Sequence, residues 1–460
     1  MSVHAPIRQF ASVKRQGNLP HVRFFLLIAP FLYAAFALLS PPFQTPDEHQ
    51  HLFRAWQLSE LHLIAERRGP ALGGVLPGGI EIAAAPEIGT VDPHALRPPP
   101  KRSLTMTRST SPDAAPPRFY NFFGSAIYSP AGYGPQVLAV WVGKSAGLSV
   151  ENIVRLGRLF NAAFAIALIA AAIALTPWGA SVFLFVGLFP MTVATASALG
   201  QDGLINGGAC LLTALGLRAA ASRRWTFPSR TGAFLLLCAL TLSKIVYLPL
   251  ALVGGLPRRE KPLREVGLLF LCCLVPAVLA VWWVSATNAV KVDHFAHVPH
   301  AGERVASWLA DPSLLVAPLL SAFAGLPRLM QQTLFTFGWL NIGPIMPAQA
   351  LSAVALLCLF LGGGTEQGEP GAAMRLRLIV VSFGIAIAIC LALLLTYTPV
   401  DMAGVNGLQG RYFIPSACLL LLALLPARSF VASAGVHLKT LLIGANLVVL
   451  IVIAKAFYTL

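Results

Sequence analysis

Runs of apolar residues long enough to cross a lipid bilayer constrain this chain more than any other feature. They occupy positions 22–40, 160–175, 178–197, 266–284, 378–395 and 438–454, and a spanning helix needs ~20 such residues. Backbone in hydrocarbon must satisfy its own hydrogen bonds, which leaves helices and closed barrels. A barrel strand alternates apolar and polar residues, whereas these runs are continuous. The expectation is therefore an all-α fold, a polytopic transmembrane helix bundle. Composition excludes a soluble globular chain: 56% of residues are hydrophobic and 11% charged, against about a quarter charged in soluble domains.

The formal net charge of +15 does not point to nucleic acid. The basic residues sit in short clusters between apolar runs, at Arg8/Lys14/Arg15/Arg23, Arg218/Arg223/Arg224/Arg230, Arg258/Arg259/Lys261/Arg264 and Arg375/Arg377. That is the distribution of cytoplasmic loops under the positive-inside rule. All seven cysteines lie inside apolar spans, where they act as small hydrophobes and form neither a disulfide framework nor a metal motif. The run at 22–40 is long for a signal sequence and lacks a small-x-small cleavage site before Pro41-Pro42, so it is expected to remain as the first helix.

Assigning the basic clusters to the cytoplasm orders the chain. A cytoplasmic tail (1–21) and first helix (22–40) lead into a large outer loop with interfacial helices (41–157). A transmembrane core (158–284), a second outer region (285–346) and C-terminal transmembrane helices (347–460) follow. About eleven crossings result on the ~20-residue rule. Segment 128–148 is expected to lie in the interface or re-enter. Basic clusters flank segment 232–254 on both sides, so it should form a hairpin of two short helices whose tip, Ser243-Lys244, points outward. No inverted repeat of the transporter kind is visible.

Chemistry concentrates just beyond the first helix, in Thr45-Pro46-Asp47-Glu48-His49-Gln50-His51-Leu52-Phe53-Arg54-Ala55-Trp56. A carboxylate there can take a proton from a hydroxyl, and an arginine can hold a phosphate. The same residues also read as a helix start, with Thr45 as N-cap and Glu48 at the capping-box position, ahead of an amphipathic interfacial helix. Asp202 either caps the helix that follows it or belongs to a site. Lys244, inside an apolar run, is costly unless it meets water, a carboxylate or an anion. Arg411 either snorkels to the outer surface or joins Arg54 and Lys244 in a cationic pocket beside Asp47 and Glu48. His51 and Tyr412 complete the candidate substrate-binding set. His294, His297 and His300 are spaced by three without an acidic or thiol partner, so no metal residues are assigned.

The run Asp47-Glu48-x-x-His51-x-x-Arg54-Ala55 is similar to the opening signature of a bacterial family, domain of unknown function 2142. Further pieces follow in that family's order: Tyr128-Ser129-Pro130 with Tyr133-Gly134-Pro135-Gln136, Gln201-Asp202, Ser243-Lys244, Phe337-Gly338-Trp339-Leu340 and Gly410-Arg411-Tyr412-Phe413-Ile414-Pro415. The family resembles the GT-C membrane glycosyltransferases. That resemblance implies a GT-C-like bundle in the bacterial inner membrane with its site on the outer face. It implies a polyprenyl-phosphate-linked sugar as donor, membrane lipid around it, and an envelope glycan or protein as acceptor. Asp47 would be the base and Glu48 its support, with no certain cofactor and a divalent metal left open. Loop 67–117 matches no superfamily pattern, which leaves the acceptor undefined. A transporter or lipid flippase, and a non-catalytic assembly subunit, are the alternative readings.

Overall fold

The computed structural model describes residues 18–88, 101–103, 108–222, 225–254, 262–288, 290, 301–362, 370–399, 402 and 404–459. Among the described residues the regular structure is almost entirely helical. Seven described helices are long and apolar enough to cross a membrane: α1 (Leu19–Leu39), α6 (Val150–Leu175), α9 (Asp202–Ser222), α11 (Pro262–Asn288), α13 (Ser313–Thr333), α15 (Ala372–Thr396) and α17 (Ala434–Phe457). Shorter apolar helices are α10 (Phe227–Ser243), α14 (Met346–Gly362) and α16 (Ile414–Leu424), the last preceded by a 3₁₀ turn over Gly410–Phe413. Helices α1, α6, α9, α15, α16 and α17 bury their apolar stripes against one another in a single large core.

Three sequence expectations change. Segment 178–197 is two short helices, α7 (Ala180–Leu188) and α8 (Pro190–Ala196), not one continuous span. Pro190 lacks an N–H and forces Phe189 to ψ 129°, which breaks the helix there. The region 285–346, expected outside the bilayer, contains α12 (Ala301–Ala310) and α13. By length and composition the 21 residues of α13 suffice to cross, and none of them is buried. Pro318 and Pro327 interrupt its sequence and mask it as a run. The segment between α1 and α6, expected to hold only interfacial helices, also carries a three-stranded antiparallel sheet, β1 (Glu66–Arg68), β2 (Ala71–Leu76) and β3 (Arg118–Asn121), in the order β1-β2-β3.

That sheet packs on α2 (Glu48–Ser59), α3 (Gly79–Ile88) and α4 (Phe123–Ala126) around Phe43, Leu52, Trp56, Ile80, Tyr120 and Phe122, a second core separate from the bundle's. Helix α5 (Gly134–Ser145) has 12 residues, roughly 18 Å against the ~30 Å of hydrocarbon, so segment 128–148 contains no spanning helix. The outer layer is tied to distant segments. Trp339 Nε1 donates to Phe43 O at 3.0 Å, and Arg102 pairs with Glu87 at 2.7 Å. Arg102 N also donates to Phe457 O at 2.9 Å.

The hairpin expected at 232–254 is present. Helix α10 starts in a capping box between Thr226 and Ser229 and ends at Lys244, whose backbone is extended (φ −151°, ψ 113°). A 3₁₀ stretch, Ile245–Val253, carries the chain back. Pro249 bears on the return stretch and not on the break itself: it cannot donate to the Ile245 carbonyl four residues earlier, which disfavours a regular α-helix there. On the return the backbone of Gly254 lies against Gly216 of α9, so close that a Cβ on Gly216 would stand 2.9 Å from Gly254 N. The tip is therefore at the end of α9 where Asp202 lies. The Arg258/Arg259/Lys261 and Arg223/Arg224 clusters, and the tail to residue 17, fall outside the described residues.

Candidate functional site

A cavity of about 120 Å³ opens where the ends of these elements meet. Its wall includes Thr45, Asp47 and His51 from the first outer segment, Tyr128, Gln201 and Asp202, Lys244 at the hairpin tip, and Gln409, Arg411 and Tyr412. Thr333, Phe337, Gly338 and Leu340 close the side facing α13. Chain positions nearly four hundred residues apart thus converge on one space.

Asp47 is placed by an unusual backbone. Helix α2 starts at Glu48 with Asp47 as its N-cap residue, in the left-handed conformation (φ 60°, ψ 8°) and without a side-chain capping bond. The expectation that Thr45 caps this helix is corrected, since its Oγ1 has no partner within the protein. A non-glycine residue at positive φ is strained, and such residues gather at functional sites. Here the conformation turns the Asp47 carboxylate into the cavity instead of onto the helix end. The carboxylate is exposed to that space, yet the enclosing protein removes enough water to push it above the usual carboxylate range, with Arg411 pulling the other way.

Glu48 has a different fate. Its carboxylate accepts from Arg158 Nε at 2.7 Å and from the same guanidinium's second nitrogen at 2.5 Å, from Phe43 N at 2.8 Å and from Leu199 N at 3.4 Å. Both side chains of the ion pair are 0% exposed. Arg158 also donates to the carbonyls of Ala37, Ser40 and Pro41. Glu48 has no capacity left for substrate and anchors the segment that carries Asp47. The cost of burying charge, which singles out Lys244 in the sequence, applies equally to Arg158, and that signal would have found this pair.

Arg54 does not enter the cavity, which corrects its place in the cationic pocket. It is 0% exposed and its guanidinium is spent on the Tyr128 and Leu63 carbonyls and the Gln57 side chain. Burial lowers its pKa to about 10. It shapes the site indirectly by holding Tyr128.

The remaining candidates come together. Lys244 Nζ lies 3.8 Å from Asp202 Oδ1, and an Arg411 nitrogen lies 4.0 Å from Asp202 Oδ2. The Tyr412 ring lies beneath both cations, 4.9 Å from Lys244 Nζ and 5.5 Å from the Arg411 carbon, a cation–π arrangement. The two cations face two carboxylates, Asp202 and the Asp47 of the same cavity, but at 3.8–4.0 Å from Asp202 neither is locked in a close pair. His51 pairs through Nδ1 with the Tyr133 hydroxyl at 2.8 Å and stacks on Tyr128. Burial lowers its pKa to about 4, with Lys244 and Arg411 adding to the effect and Asp202 opposing it, so at neutral pH the imidazole is uncharged.

Among the described residues no cluster of three or more His, Cys, Asp or Glu has metal-binding geometry. His294, His297 and His300 lie outside the described residues.

The family model for DUF2142, predicted membrane proteins, matches residues 30–422. The chain belongs to that family. The matched range includes every wall residue named above, from Thr45 to Tyr412. No curated protein and no solved structure matches the chain.

Proposed function

We propose that this DUF2142 protein is a GT-C-type glycosyltransferase of the bacterial inner membrane. It would move a sugar from a polyprenyl-phosphate donor to a hydroxyl of an envelope glycan or protein, on the outer face. One juxtaposition carries the reading: Asp47, held on a left-handed backbone, shares a cavity with Lys244 and Arg411 at the ends of apolar helices. A general base and a pair of cations not locked into close ion pairs are what transfer from a lipid phosphate requires.

In the proposed step the acceptor oxygen attacks the anomeric carbon while Asp47 takes the hydroxyl proton. The bond from that carbon to the phosphate oxygen breaks, and its electron pair leaves with the lipid phosphate. Lys244 and Arg411 meet the charge that develops there. The leaving phosphate then needs no proton, so one base suffices, and a single displacement inverts the anomeric centre. Asp202 holds the two cations together before the donor arrives. His51, neutral and tethered to Tyr133, contributes hydrogen bonding without charge.

Mass spectrometry of lipid released from the purified protein tests the reading. A polyprenyl phosphate should be recovered from the wild type and lost when Lys244 and Arg411 are both changed to Met. Absence of polyprenyl lipid together with lipid or solute movement in proteoliposomes would replace the enzyme with a transporter. Absence of both would leave an assembly subunit.

A further inference from the structure

The side chain of Gln201 is 3% exposed and lines the cavity, yet neither its Oε1 nor its Nε2 has a partner within the protein. Two neighbouring amides are held structurally through their nitrogens, although Gln136 Oε1, which is not on the cavity wall, also lacks a partner. Gln136 Nε2 donates to the carbonyls of Leu199 and Gly200 at 3.1 and 2.9 Å. Asn161 Nδ2 donates to those of Ala198 and Gly200 at 2.7 and 3.2 Å. They hold the 198–200 turn without Gln201. The Gln201 amide is instead pressed against Gly132, where an added Cβ would stand 2.7 Å from its Cδ and Nε2. Its orientation is therefore set by packing, and its polar atoms are left for something else.

The other orphaned groups on this wall define that ligand. Gln409 Oε1, Thr45 Oγ1 and Arg411 Nε also lack partners. An ionised phosphate accepts hydrogen bonds but cannot donate them, so it satisfies Arg411 Nε and leaves the carbonyl oxygens of Gln201 and Gln409 bare. Those two need a donor. A hydroxyl both donates and accepts, so a ring bearing several hydroxyls serves the whole set. Size narrows the class further. A space of about 120 Å³ holds on the order of ten water-sized groups, which is the size of one sugar ring.

We propose that Gln201 and Gln409 read the hydroxyls of a single neutral monosaccharide, the sugar half of the lipid-linked donor. Lys244 and Arg411 remain for its phosphate. The assignment rests on the glycosyltransferase reading and makes Gln201 its specificity-determining residue, with Gly132 as a positioning residue.

The test compares dissociation constants for undecaprenyl phosphate alone and for its glucosyl, mannosyl and N-acetylglucosaminyl esters. The wild type should bind at least one sugar-bearing lipid more tightly than the bare one. Gln201→Met keeps the length and removes both polar ends. It should cost on the order of tenfold for that lipid, as loss of hydrogen bonds to neutral groups does, and leave the bare lipid unaffected. Gly132→Ala, which displaces the amide, should give a smaller loss of the same selective kind. Equal weakening of bare and sugar-bearing lipids in Gln201→Met, or no change in either, overturns the assignment. So does a wild type that binds the bare lipid and gains nothing from any sugar; here the glycosyltransferase site survives and the sugar subsite does not. A wild type that binds none of the four lipids ends both.

Discussion

Asp47 and Glu48 are adjacent in sequence and belong to two opposite kinds of charged cluster. Around Glu48 everything is saturated: contacts to Arg158 of 2.5 and 2.7 Å, two backbone donors, and no exposure. Around Asp47 the charges stand apart. Its neighbours Lys244 and Arg411 reach Asp202 only at 3.8 and 4.0 Å and keep 28% and 19% of their side chains exposed. A buried pair with every lone pair used supports structure. A loose set, whose cations are held by no close pair, is available to a ligand. The difference between the two, more than the presence of charge, separates scaffold from site.

The comparison can be broken most forcefully at Arg158. Arg158→Met leaves Glu48 buried and unpaired, which should cost about 3–5 kcal/mol, read as a collapse of thermal stability in detergent. The double change with Glu48→Met should lose less, because no uncompensated charge remains. A stable Arg158→Met would put Glu48 in the loose class after all.

Asp47→Asn should do the reverse, leaving stability unchanged while glycosyl transfer falls about 10²-fold, the scale of a general base. The pH profile sharpens this prediction. A base must be deprotonated, and burial raises the Asp47 carboxyl. The acid limb of kcat/KM should therefore lie above the usual carboxylate range and disappear in Asp47→Asn. Stability should follow a separate course set by His49 and His51, which are lowered from 6.5 to about 4 in the folded chain. The unfolded chain binds the extra protons, so their contribution is complete above about 6.5 and is lost as pH falls towards about 4. Coincident profiles for activity and unfolding would remove the case for Asp47 as base.

Lys244→Met should have the smallest effect. Folding should stay intact while affinity for undecaprenyl phosphate drops roughly tenfold, the worth of one charge-assisted hydrogen bond. Lys244→Arg should retain part of it, since the charge persists and its geometry changes. Unfolding of Lys244→Met at unchanged affinity per folded molecule would move Lys244 into the saturated class with Arg158.

Much of this arrangement is legible in the sequence because the bilayer demands it. Continuous apolar runs give the bundle, and basic clusters flanking 232–254 give the hairpin with its tip at Ser243-Lys244. Asp47, His51, Asp202, Lys244, Arg411 and Tyr412 do meet, as their helix-end positions suggest. Arg54 misleads because its nearest acceptors are backbone carbonyls, of Leu63 and Tyr128, which no side-chain motif advertises. The small sheet is hidden because β1 has three residues and β3, the second partner of β2, lies beyond a long intervening loop. The left-handed turn at Asp47 is not legible either: aspartate tolerates that conformation better than most residues, but it also serves as an ordinary helix N-cap in the extended region, and the sequence does not choose between them.

The backbone bond between Arg102 and Phe457 has a consequence for the order of events during synthesis. Residues of the outer loop enter solution early, but a partner such as Thr459 lies 357 positions later. At ~5–20 residues per second, the chain takes roughly twenty to seventy seconds to supply it. Asp47 waits in the same way for Arg411. A nascent chain therefore carries Asp47 long before Lys244 and Arg411, and the layer built between α1 and α6 gains its last fastening only when the final helix is in place. The cavity is complete only when synthesis is nearly over.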